Sequence, residues 1–159
     1  MKTPILKVGA IIVSLLLFYL IAVTLHEMSH YLVLTGLGGA GYITFPDAFT
    51  GLTYITRPPT HGLWAVYFAG GLGAFALMIT LWAISRLTPT RWDMDDEFAL
   101  AVAMAFNLTY GLAEGASYWW PGLLPWAWIP GVVAFALIAG IYMPWLLIWM
   151  GKGEENGQT

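Results

Sequence analysis

Cysteine is absent from this chain of 159 residues, and charge is nearly so: six Lys or Arg and nine Asp or Glu amount to 9% of it. The missing cysteine excludes disulfides, thiolate metal sites, a cysteine nucleophile and a lipidated-cysteine anchor. The missing charge excludes more. A soluble domain is about a quarter charged residues, so this chain could not cover a water-facing surface. A soluble enzyme, a disordered chain and a nucleic-acid binder built on a basic patch are all ruled out. The net charge of −3 identifies no partner. What fills the chain instead is apolar: 59% hydrophobic residues, 16% aromatic, and a mean hydropathy of +0.73. Such a chain belongs in a lipid bilayer, as an integral, multi-pass protein.

Four long runs locate the spans. Val8 to Thr35 holds one charge, Glu27; Phe98 to Trp120 holds one, Glu114; Gly62 to Ser85 and Pro121 to Gly151 hold none. A bilayer core needs about 20 apolar residues per helix. The expected fold is an all-α membrane protein, one domain over 1–150, with helices at 8–34, 63–85, 98–118 and 129–150. Tryptophans form two groups, as two interfaces require. Trp64, Trp119, Trp120, Trp126 and Trp128 fall at one end, and Trp82, Trp92, Trp145 and Trp149 at the other. Lys2 and Lys7 ahead of an apolar stretch, with Ala22-Val23-Thr24 behind, have the outline of a signal peptide. The stretch outruns the roughly 7–15 residues of such a core, so an uncleaved span is expected. Residues 151–159 are polar and glycine-rich, and are expected to be disordered.

The connection between the first two spans breaks the helical pattern. Gly38, Gly39 and Gly41 interrupt it. Two β-prone runs, Tyr42 to Phe45 and Leu52 to Thr56, flank Pro46-Asp47 and Gly51. That pattern predicts a small β-hairpin over 41–56. The next connection, 86–97, is short and ends in Asp93, Asp95, Asp96 and Glu97.

Chemistry enters in the first span, as His26-Glu27-Met28-Ser29-His30, an H-E-x-x-H motif. Residues four apart on a helix lie about 40° apart around its axis, so both imidazoles share a face and can grip one Zn²⁺. Glu27 adjoins the first ligand and can serve a bound water as general base. Ionisable groups inside a span are costly and usually functional. Glu27-x-x-His30 also matches half of a di-iron site, but a second E-x-x-H is missing. Two histidines leave the metal a protein ligand short. Glu114 is the leading candidate, with Asp47 and His61 as alternatives. It is the other acid within a span, and depth favours it. His26 lies about 27 Å along its helix from Val8, and Glu114 about 24 Å along a parallel one from Phe98. Asn107, seven residues before Glu114, shares its face and can bind a substrate backbone, steady an oxyanion, or bond a neighbouring helix. Small residues at Gly111 and Gly115, and over 69–74, allow close helix approach.

The order of these motifs resembles the site-2-protease family of intramembrane zinc metalloproteases (peptidase M50 class), in its short minimal form. H-E-x-x-H sits late in an early span and a β-rich loop follows. Ala69-Gly70-Gly71-Leu72-Gly73-Ala74-Phe75 is similar to the family's A-G-P-x-x-N-F motif. Asn107 to Gly115 is similar to its N-x-x-P…D-G motif. The resemblance covers roughly residues 20–116, and the fourth span lies outside it. Gly71 and Ala74 replace a Pro and an Asn; the later motif lacks its Pro, is one residue shorter, and has Glu114 for Asp. The resemblance implies a zinc endopeptidase cutting a transmembrane segment of a substrate protein, with no PDZ domain, for which 86–97 is too short. The alternative is a non-catalytic membrane protein that keeps the metal site or binds spans without cutting them. Orientation divides the arguments. Lys2, Lys7, Arg86, Arg91 and Lys152 oppose Arg57 alone, which puts the termini in the cytoplasm and the metal motif toward the outside. The resemblance implies a cytosolic site.

Overall fold

The first helix, α1 (Pro4–Gly36), continues through the entire apolar run and stops where glycine permits a reversal. Gly38 adopts φ 80°, and its N–H donates to Thr35 O at 3.0 Å, while the Gly39 N–H donates to Leu34 O at 2.9 Å. These two bonds are a Schellman cap, satisfying carbonyls that the helix end leaves open. The chain then forms β1 (Ala40–Thr44) and β2 (Leu52–Arg57), an antiparallel pair that aligns Tyr42 with Tyr54 and Ile43 with Thr53. The two tyrosine rings stack at 5.3 Å. Leu34, fully buried, anchors the start of the hairpin to α1.

The remaining elements are α2 (Leu63–Leu87), α3 (Met94–Ser117), a 3₁₀ turn (Pro121–Trp126) and α4 (Trp128–Gly151). This computed structural model describes residues 4–87 and 92–151. Lys2, Arg91 and positions 152–159 of the expected tail lie outside the described residues. Among the described residues the architecture is the expected one: four helices long and apolar enough to cross a membrane, with a small two-stranded sheet between the first two.

The helices outrun the expected bounds at several ends: α1 starts at Pro4 and ends at Gly36, and α2 ends at Leu87. Gly151 closes α4 and does not begin the tail. Asp95, Asp96 and Glu97 belong to the first turn of α3, four residues before the expected start. The apolar run begins only at Phe98, but acids favour a helix N-terminus, where the unpaired N–H groups carry partial positive charge.

Helix α3 is the hub, packing against α1, α2 and α4, whereas α1 and α4 barely touch. Phe18, Ala22, Met78, Ala99, Leu100 and Ala103 form the core between α1, α2 and α3. Outward faces are apolar too: Leu16, Leu17, Val133, Leu137 and Ile141 are exposed. In water this surface would drive aggregation, and in hydrocarbon it is at no disadvantage. Between α1 and α4, Lys7 Nζ donates to Trp149 O at 2.6 Å.

Candidate metal centre

The H-E-x-x-H motif lies in the last third of α1, and helical spacing stacks its two histidines one turn apart. Their rings meet edge to face at 4.7 Å. His26, Glu27 and His30 are each at most 8% exposed, so all three are held inside the protein. Val66 of α2 places its carbonyl 2.6 Å from His30 Nδ1. A carbonyl only accepts, so Nδ1 carries the proton and Nε2 presents its lone pair inward.

Glu114 of α3 completes the group. Its Oε2 lies 3.0 Å from His26 Nε2 and 3.3 Å from His30 Nε2, and the two ring nitrogens are 3.0 Å apart. A tetrahedral zinc with bonds of about 2.0–2.1 Å keeps its ligand atoms about 3.3 Å apart. The observed triangle therefore has the size of one face of such a site. Glu114 Oε2 is also buried with no hydrogen-bond partner among the described residues. A carboxylate oxygen and two ring nitrogens that converge in a buried place can share one cation between them. These residues fit a metal ion.

The approach of three helices depends on glycines of α2 and α3. A Cβ on Gly70 would overlap Nε2 of both His30 and His26, so the missing side chain is the room beside the ligand atoms. A Cβ on Gly71 would collide with Gly111 Cα and the Asn107 carbonyl, so α2 and α3 meet backbone to backbone. The small-residue run expected to allow close approach does so, and it brings Glu114 to α1.

Glu27 is held by the hairpin. Thr53 of β2 donates from Oγ1 to Glu27 Oε2 at 2.7 Å. Gly51 lies against Glu27 Cγ, closely enough that a Cβ there would overlap it. Two cavities meet at this carboxylate. The larger, about 540 Å³, lies between α1, α3, α4 and the hairpin tip, with Leu15, Val23, Phe106 and Phe135 in its walls. The smaller, about 330 Å³, runs along β2 past His30 and Glu114. His26, Glu27, Gly51 and Tyr110 line both.

Among the three proposed third ligands, Glu114 joins the histidines. Asp47 accepts the Phe49 N–H at 2.7 Å in an exposed turn. His61 is exposed and pairs with Thr60 at 3.1 Å. Asn107 lines the larger cavity, and its amide nitrogen donates to Ala103 O of its own helix at 2.9 Å. Sequence reasoning missed Thr53, Tyr110 and the specific role of Gly70. Tyr110 was within reach of it, one turn before Glu114. Thr53 was not, because its contact depends on how the hairpin docks.

Comparison with family models, curated proteins and solved structures finds no match to this chain.

Proposed function

We propose that this chain is an integral, multi-pass membrane zinc endopeptidase that hydrolyses a peptide bond in or near a transmembrane segment of another protein. The observation that carries the reading is the converging group His26, His30 and Glu114, with Glu27, next to His26 in the chain, lining both cavities at that group. His26, His30 and Glu114 would hold the metal. Zinc in such a site supplies a Lewis acid and lowers the pKa of water to about 7.

The chain's own groups do the rest. Glu27 Oε2 is engaged by Thr53, which leaves Oε1 to take the proton of the water attacking the peptide carbonyl. The same carboxylic acid then hands that proton to the departing amine. A helical substrate hides its carbonyls in its own hydrogen bonds, so the segment to be cut must be extended. Strand β2 pairs with β1 on one edge, and its residues Leu52, Thr53 and Ile55 border the smaller cavity. An extended substrate can add to it as a further strand. The apolar walls of the larger cavity suit the side chains of a transmembrane segment. A non-catalytic metal protein needs no general base at Glu27.

The test is metal analysis and cleavage of a library of apolar peptides, read by mass spectrometry, with purified protein in bilayer discs. Wild type should carry zinc and cut. Glu27→Gln should carry zinc and lose about 10²–10⁴-fold in rate, the usual contribution of a general base. Equal cleavage by the two proteins would refute the mechanism, and metal without cleavage in wild type would favour the non-catalytic alternative.

A further inference from the structure

Attack on a peptide carbonyl puts negative charge on its oxygen, and a positioned hydrogen-bond donor at that oxygen accelerates such reactions strongly. Asn107 is a poor source of that donor. Its amide nitrogen is bonded to Ala103 O, and it stands seven residues, about 10.5 Å of helix rise, from Glu114. Four residues line both cavities: His26, Glu27, Gly51 and Tyr110. His26 is a metal ligand, Glu27 is the base, and Gly51 has no side chain. Tyr110 alone among them has a neutral side-chain donor to offer.

Its placement suits that task. Tyr110 is one turn, about 6 Å of rise, before Glu114 on α3. Its ring packs edge-on against His26 at 5.4 Å and stacks on Phe106 at 5.8 Å and 11°. Ring contacts on two sides fix the phenol's direction, while its hydroxyl makes no hydrogen bond to the described residues. A tyrosine held by its ring with a free hydroxyl at a cavity junction is arranged to meet a ligand. We infer that Tyr110 is a catalytic residue, whose phenol O–H donates to the scissile carbonyl oxygen as it becomes an oxyanion. This rests on the peptidase reading above and names a residue for it.

Two probes separate the possibilities. A phosphinic pseudopeptide with leucine on both sides mimics the tetrahedral oxyanion. A leucine hydroxamate chelates the metal without mimicking that geometry. Binding of each to zinc-loaded protein is measured by calorimetry in bilayer discs, beside zinc content. Tyr110→Phe keeps both ring contacts, so retained zinc reports an intact site. The expected result is about 10- to 100-fold weaker binding of the phosphinate, unchanged hydroxamate binding and unchanged zinc. In cleavage, kcat should fall by about 100-fold with little change in KM. Unchanged phosphinate binding, or loss of zinc from Tyr110→Phe, overturns the assignment while leaving the peptidase reading in place. A wild type that holds zinc yet binds neither probe overturns both.

Discussion

Gly70→Ala is the sharpest perturbation of the candidate metal centre, because it adds one methyl group and leaves every candidate ligand in the sequence. The new carbon would overlap Nε2 of His26 and of His30, and would stand 2.7 Å from His26 Cδ2. Non-bonded heavy atoms need about 3.5 Å, so α2 and the imidazoles must separate by roughly 1 Å. If α2 retreats, the 2.6 Å bond from His30 Nδ1 to Val66 O stretches and the ring loses its orientation. If the rings turn instead, both Nε2 atoms leave the triangle with Glu114. Losing one orienting contact of a ligand costs about 10–100-fold in metal affinity. Both histidines are displaced here, so the upper end applies: about 100-fold, or roughly 2.7 kcal/mol. The assay is zinc affinity by competition with a chromophoric chelator in detergent, with helix content from circular dichroism. Gly140→Ala is the control, since nothing lies within 4 Å of its added carbon. It should match wild type. If Gly70→Ala also matches wild type, the metal is not held between these three side chains.

Other consequences follow from the same geometry. Glu114→Ala should strip zinc or weaken it strongly, whereas Asp47→Ala and His61→Ala should leave it unchanged in the same competition assay; the reverse pattern would reassign the third ligand. Thr53→Val removes the hydroxyl that holds Glu27 and should lower kcat by about tenfold with zinc retained, while Thr53→Ser should restore it; equal rates for all three proteins would show that the contact is idle. Chelation of the metal should lower the melting temperature of the detergent-solubilised protein, and added zinc should raise it in proportion to the logarithm of its concentration. For orientation, the charge bias predicts that a cysteine at Ala48 reacts with an impermeant maleimide on intact cells and one at Asp93 does not. The native chain contributes no background thiol, and the opposite labelling would place the metal centre on the cytosolic side.

The sequence by itself determined whatever depends on nearest neighbours along the chain. Helices long and apolar enough to cross a membrane follow from runs of apolar residues, since a backbone in hydrocarbon must close its own hydrogen bonds. The pairing of His26 with His30 follows from helical periodicity. The hairpin follows from alternating β-prone residues between glycines and a proline. The start of α3 escaped the same logic because apolarity and helix-terminal charge preference disagree over 94–97, and the latter prevails there. Tertiary structure decided the rest. Depth arithmetic made Glu114 a better third ligand than Asp47 or His61, but only the backbone contact of Gly71 with Gly111 brings it 3.0 Å from His26. Gly70 looked like plain packing, and only its position opposite two imidazoles gives it a part in the site. Thr53 and Tyr110 have ordinary sequence contexts, and they reach Glu27 and His26 because a hairpin folds back over α1 and α3 lies against it. Local patterns reflect the preferences of a chain segment for its own conformation. A site drawn from α1, α2, α3 and a hairpin depends on which segments meet, and that is set by how closely their surfaces can approach.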